Sequence, residues 1–234
     1  MQIAALYDIH GNVPAMEAAL HACRAAGPSA VVIGGDIAAG PMPSDTLDIL
    51  MALGAWAVPI QGPTDRAIVE AYDLRSAGKT KELAACDPVV AWAAKEITGR
   101  HRDFLANLPA FVVLPADGLG DVRFCRADVD PKAGIQEQVD APGLAERFDG
   151  VRERVVVVGG SHRASSRTAG GRRFVDPGSV GLPSEDLPGA YWALFGDEVE
   201  LQRTEYNVKA ATRRIARSGM PGARAYASSF ASPQ

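Results

Sequence analysis

Cysteine is scarce in this chain: Cys23, Cys86 and Cys125 are the only three among 234 residues. They are odd in number, widely spaced and free of any Cys-x-x-Cys pair, which excludes a zinc ribbon and a disulfide framework and leaves three reduced thiols. Long apolar runs are missing too. No stretch approaches the ~20 residues that a membrane-spanning helix needs. The opening Met1-Gln2-Ile3-Ala4-Ala5-Leu6 has neither the basic flank nor the length of a signal peptide, so the expected location is the cytoplasm. Basic residues are not in excess. Lys and Arg total 24 against 28 Asp and Glu, for a net charge of -4 and a pI near 5.6. That balance argues against bulk nucleic-acid binding, which needs a basic surface. A nucleotide-sized ligand stays compatible with it, because a bound cation brings its own charge.

What is present is ordinary globular material, 47% hydrophobic and 22% charged, in a length that suits one α/β domain. The first third alternates between apolar strands and helices. Strands are expected over 3–7, 30–33 and 55–60, and helices over about 15–26 and 44–53. Pro14 sits where a helix tolerates proline, and Gly27-Pro28 stops the first helix. This βαβαβ order predicts parallel strands covered by helices. Residues 65–108 read as helical, with strands near 111–114 and 122–125. The segment 131–148 reads as loop plus a short helix. Val155 to Val158 is a strand buried on both faces. Gly170-Gly171 marks a hairpin turn, and 191–195 pairs with 199–203 across Gly196-Asp197. A basic helix follows over 209–217. The fold class expected is α/β: a two-layered mixed β-sheet sandwich flanked by helices, in α/β/β/α order. Residues 1–218 form the domain and 219–234 a loosely held C-terminal tail.

Four of the strands end in loops that carry a possible metal ligand: Asp8-x-His10, Gly35-Asp36, Gly62-x-x-Asp65 and Gly159-x-x-His162. Strand ends at one edge of a sheet converge, which is where open α/β sheets place their sites. A mixed carboxylate and imidazole set suits manganese, iron, zinc or a similar divalent ion rather than calcium or a thiolate-seeking metal. Taken singly, each residue also has a plainer reading. Asp8 and Asp36 are good caps for turns and helices. Asp128 and Asp130 are candidate oxygen ligands that read more simply as solvated loop carboxylates. His21 and His101 lie on helices outside any motif. The run Arg213-Arg214 to Arg217 reads as one exposed helix face. Gly178-Ser179 does not complete a nucleophile elbow, because Pro177 stands where a glycine belongs.

In its order of motifs the chain resembles the calcineurin-like metallophosphoesterases, in particular their small bacterial and archaeal phosphodiesterase branch. Asp8-Ile9-His10-Gly11-Asn12 and Gly35-Asp36 match the family's first two motifs. Gly40-Pro41-Met42-Pro43, Asn107-Leu108-Pro109 and Asp176-Pro177-Gly178-Ser179 are similar to segments of that branch, and the likeness extends to about residue 205. Three departures accompany it. The family's Gly-Asn-His-Asp is here Gly62-Pro63-Thr64-Asp65, its lone His is Arg126, and its Gly-His-x-His is Gly159-Gly160-Ser161-His162. The resemblance implies one intact metal site at Asp8, His10, Asp36 and His162, taking Mn, Fe, Zn or Ni. It also implies a second site that has lost three ligands, at Pro63, Arg126 and Gly160. Arg126, Thr64 and Asp65 are then the catalytic candidates. Arg126 is expected to clamp phosphate in place of the missing cation, Thr64 replaces the His near the leaving group, and Asp65 orients a neighbour. The partner implied is a small phosphorylated substrate or ligand, and a homo-oligomer is compatible with the chain. Two functions stay open: a one-metal phosphoesterase, favouring diesters and slowed by its missing cation, or a phosphoesterase-fold protein that binds a metal or phosphorylated ligand as sensor or scaffold.

Overall fold

The computed structural model describes residues 1–126 and 141–229. In chain order the elements are β1 (Ile3–Leu6), α1 (Val13–Ala26), β2 (Ala30–Ile33), α2 (Pro43–Ala52), β3 (Ala57–Pro59), α3 (Pro63–Ser76), α4 (Thr80–Ala84), α5 (Pro88–Glu96) and α6 (Gly99–Ala106). They continue with β4 (Val112–Ala116), β5 (Gly120–Phe124), α7 (Ala141–Arg147), β6 (Val155–Val157), β7 (Ala164–Ala169), β8 (Arg172–Pro177), β9 (Ala190–Phe195), β10 (Val199–Thr204), α8 (Val208–Ala216) and α9 (Ala223–Ser229).

Two five-stranded mixed sheets result, ordered β10-β9-β1-β2-β3 and β4-β5-β6-β8-β7. Each has three parallel neighbours, β1-β2-β3 in one and β5-β6-β8 in the other, completed by antiparallel strands. The two-residue side-chain period of β1 explains how the layers stack. Ile3, Ala5 and Tyr7 point inward and pack with Val122, Phe124, Val155, Val157 and Val175 of the second sheet. Ala4 and Leu6 point outward, into a core shared with Met16 and Leu20 of α1, Leu47 and Leu50 of α2, Ile68 of α3 and Leu105 of α6. On the far side of the second sheet, Val156 and Phe174 pack against Leu144 of α7. The layers therefore run helix, sheet, sheet, helix.

Helix boundaries follow local chemistry. Asn12 caps α1 by accepting the Ala15 N–H, so this helix begins two residues earlier than its alanine run, and left-handed Gly27 closes it. The expected helical region 65–108 is four helices, interrupted at Gly78, at the Asp87-Pro88 cap and at the Thr98 cap. Among the described residues, no helix is long and apolar enough to cross a membrane.

Within the segment after Gly219, residues 223–229 form α9. Ala223 and Ala227 lie one turn apart and are buried, and Ala227 packs with Val13, Met42 and Ile215. Small side chains carry little hydrophobic signal but allow close helix approach.

Candidate metal centre

All the ligand-bearing loops leave the carboxyl ends of parallel strands, and the two sheets bring those ends to one edge. Asp8 and His10 follow β1, Asp36 follows β2, Arg126 follows β5, and His162 follows β6. The backbone at the four expected ligands is unusual. Asp8, His10, Asp36 and His162 have φ of 53, 46, 51 and 57°, and they are the only non-glycine residues with positive φ among those described. Left-handed backbone costs an L-residue roughly 1–2 kcal/mol, and such residues concentrate at functional sites.

Asp8, His10 and His162 converge, with one donor atom from each lying within 4.8 Å of the others. His10 Nε2 is 3.2 Å from His162 Nε2 and 3.7 Å from Asp8 Oδ1, and His162 Nε2 is 3.5 Å from the same oxygen. The other ring nitrogen of His10 lies 3.3 Å from the carbonyl of Ala39. A proton on Nδ1 shared with that carbonyl turns the Nε2 lone pair into the centre, as metal-ligating histidines require. Two imidazole nitrogens facing each other beside a buried carboxylate suit a shared cation. A mixed N/O set of this kind fits a divalent transition metal.

Asp36 stands apart from this triad. Its Oδ1 accepts the Thr64 N–H at 2.9 Å and the Thr64 hydroxyl at 2.7 Å, and its Oδ2 accepts from Arg126 at 2.7 Å. Arg126 forks between the two acids, because its other terminal nitrogen donates to Asp8 Oδ1 at 2.7 Å. Its side chain is only 3% exposed. The guanidinium thus bridges two buried carboxylates, as a cation between them would. Burial works against the charge on Asp8, but Arg126 and hydrogen bonds from His10 and His162 outweigh it, and its carboxyl is held well below the usual range. His162 is desolvated too, yet Asp8 raises its pKa above that of an ordinary imidazole.

The remaining candidates support this centre from below. Asp65 is fully buried and accepts the N–H groups of Ile37 and Gly62 at 2.8 and 3.0 Å, locking the Asp36 loop onto the start of α3. Burial and the neighbouring charge of Asp36 push it up to about 7, against the pull of the two amide donors. Ser179 donates to the carbonyl of Asp8 at 2.7 Å and accepts from the Leu182 N–H, so it braces the loop. His101 pairs with Asp48 at 2.9 Å, and His21 is exposed on α1. Asp128 and Asp130 lie outside the described residues.

Three neighbours were missed in the sequence. The Tyr7 ring is wedged between Gly34 and Gly159, where a Cβ at either position would stand 2.2 Å from it, and its buried hydroxyl has no hydrogen-bond partner among the described residues. Asp176 accepts from Ser161 at 2.6 Å, and burial lifts it to about 6. Tyr226 of α9 donates its hydroxyl to the carbonyl of His10 at 2.9 Å. Tyr7 and Asp176 sat inside or beside quoted motifs and were open to scrutiny, whereas nothing near Tyr226 in the sequence signals its contact.

Comparison with known proteins fits this geometry. The model of the calcineurin-like phosphoesterase superfamily domain matches residues 1–196. The chain belongs to that superfamily. A metallophosphoesterase from Sphaerobacter thermophilus superposes on this phosphoesterase chain with a TM-score of 0.74 at 21% identity, covering 99% of each chain. A hypothetical protein from Pyrococcus horikoshii OT3 gives 0.77 at 21% identity, covering 96% of each. An uncharacterized protein of Methanocaldococcus jannaschii is 23% identical over 239 residues, spanning 94% of this chain and 93% of its own length. Structural likeness at such identities supports the fold, and the superfamily is metal-dependent.

Proposed function

We propose that this member of the superfamily is a one-metal phosphoesterase that acts on diesters in preference to monoesters. The observation that carries the proposal is the convergence of Asp8, His10 and His162 within 4.8 Å beside a guanidinium that bridges Asp8 and Asp36. A divalent cation held by the triad supplies Lewis acidity toward a phosphoryl oxygen and an acidified water, and manganese is the first ion to test. Three protein ligands leave positions open, as catalytic sites require.

The residues divide the work. His10 and His162 would hold the cation through ring nitrogens, and Asp8 through an oxygen that Arg126 keeps ionised. Arg126 offsets part of the charge on Asp8 and Asp36, which lessens their repulsion of an incoming phosphate. Asp36 anchors Arg126, and Thr64 fixes Asp36. Thr64 directs its hydroxyl proton at Asp36, leaving no general acid at that position for the departing group. Such a site favours a diester, which carries one negative charge rather than two, and a good leaving group. Losing one electrostatic contributor of this kind costs on the order of a hundredfold in rate.

A second reading has its own support. Both terminal nitrogens of Arg126 engage carboxylates, and Asp8 is fully buried, so little positive charge is left for a phosphate transition state. On that reading the centre holds a metal or phosphorylated ligand without turning it over. Hydrolysis of a chromogenic phosphodiester with manganese, by the wild type and by His10→Ala, separates the two. Metal-dependent turnover that disappears in the variant upholds the enzyme. Turnover no higher than the variant's background refutes it in favour of binding.

A further inference from the structure

The superfamily match ends at residue 196, yet a side chain from beyond it reaches the metal centre. Tyr226 of α9 donates its hydroxyl to the carbonyl of His10 at 2.9 Å, across 216 positions of the chain. The helix that carries it is anchored. Tyr226 packs against a cluster of Val13, Met42, Ile215 and Ala227, and Arg214 of the preceding helix pairs with Asp45 of α2 at 3.0 Å.

What Tyr226 grips is a peptide group under strain. The peptide that joins His10 to Gly11 gives its N–H to the carbonyl of Ile37 at 2.9 Å and receives the Tyr226 hydroxyl on its oxygen. A peptide is planar, so holding it at both ends fixes its tilt. The N–H of His10 itself goes to the carbonyl of Asp36 at 3.0 Å. Both torsions of His10 are therefore pinned, and they need to be, because its φ of 46° lies in a region that histidine seldom adopts. Gly40 closes another side of the same carbonyl, where a Cβ would stand 1.7 Å from the oxygen. Among the described residues, Tyr226 is the one donor to this oxygen. Without the hydroxyl the carbonyl is left buried with no partner, which drives the peptide to rotate. The Nε2 of His10, 3.2 Å from that of His162, then leaves the point where the ligands meet.

We propose that Tyr226 is a positioning residue of the metal centre. Its hydroxyl holds the left-handed His10 peptide, so α9 completes the cation site from outside the matched region. This role rests on the reading that Asp8, His10 and His162 bind a cation, and its test separates the two. The full-length chain is titrated with cobalt(II), whose visible absorption reports coordination geometry, and the melting temperature is measured with and without the ion. The same is done for Tyr226→Phe, which keeps the ring and its packing, and for Ile215→Val, which loosens the cluster beneath α9 but keeps the hydroxyl. Circular dichroism checks that both variants fold. Tyr226→Phe should bind cobalt about tenfold more weakly, with an altered absorption spectrum and a smaller metal-induced rise in melting temperature. Ile215→Val should lower the metal-free melting temperature and leave affinity and spectrum as in the wild type. Wild-type affinity and spectrum in Tyr226→Phe overturn the role of Tyr226 alone. An equal loss of affinity in Ile215→Val also overturns it, since packing rather than the hydroxyl would then be responsible. A wild type that binds no cobalt defeats the metal reading and this role with it.

Discussion

The two halves of the centre differ in how they treat charge. On one side, Asp8, His10 and His162 turn three side chains onto a common point from left-handed backbone. On the other, where the family places ligands for a second cation, the chain has Pro63, Gly160 and Arg126. Arg126 is not an unrelated substitution beside two deletions. Removing a dication from between two buried carboxylates would leave them uncompensated, and an unpaired buried charge is among the most destabilising changes a protein can carry. A guanidinium 2.7 Å from both offsets half of their charge with a group that cannot be lost by deprotonation. On the proposed reading, the ligand losses and the arginine form one exchange, in which a removable ion gives way to a covalently attached one.

That contrast can be broken in graded ways. The largest effect belongs to the ligand side. On the proposed mechanism, His10→Ala should lower manganese-dependent diester turnover by about a thousandfold or more and remove any metal-induced rise in melting temperature. Next is Arg126→Ala, which strands Asp8 and Asp36. Denaturant unfolding should show a loss of about 3–5 kcal/mol, and Arg126→Lys should fall between, since it keeps the charge but not the fork. Smaller again is Gly159→Ala, whose new methyl would stand 2.2 Å from the Tyr7 ring. Overpacking there should cost about 1–3 kcal/mol, and pairing it with Tyr7→Leu should recover part of the loss, a coupling a double-mutant cycle reads directly. The smallest change in bound metal is expected from rebuilding the family pattern. Pro63→Asn/Arg126→His/Gly160→His should still hold a single cation by elemental analysis. Gly160 has a φ of 114°, which a histidine adopts only under strain. A second bound ion with a strong gain in activity would show instead that the scaffold lacks only its ligands.

Much of this was legible in the sequence because it is written locally. A polar residue after a short apolar strand marks a strand end, and parallel strands carry such ends to one edge, so the sequence alone assigns Asp8, Asp36 and His162 to that edge. The exchange at Arg126 was legible only through the family's motif order. What its guanidinium does was not, since clamping phosphate and bridging carboxylates require the same residue at the same position. Asp65 illustrates another limit: its sequence context suggests chemistry, while its contacts are two backbone amides. The α9 helix and Tyr226 were illegible for a third reason. Their burial depends on a surface formed by Ile215 of the preceding helix and by Val13 and Met42, which are distant in the chain, and short alanine-rich segments carry no periodicity strong enough to announce it.

The left-handed backbone at Asp8, His10, Asp36 and His162 has a kinetic consequence. Side chains posed by the fold need no loop rearrangement when an ion arrives, so capture should be limited by diffusion and by stripping water from the ion. Chains with and without metal should then share one backbone, and the speed of loading should track the water-exchange rate of the ion offered rather than any motion of the protein.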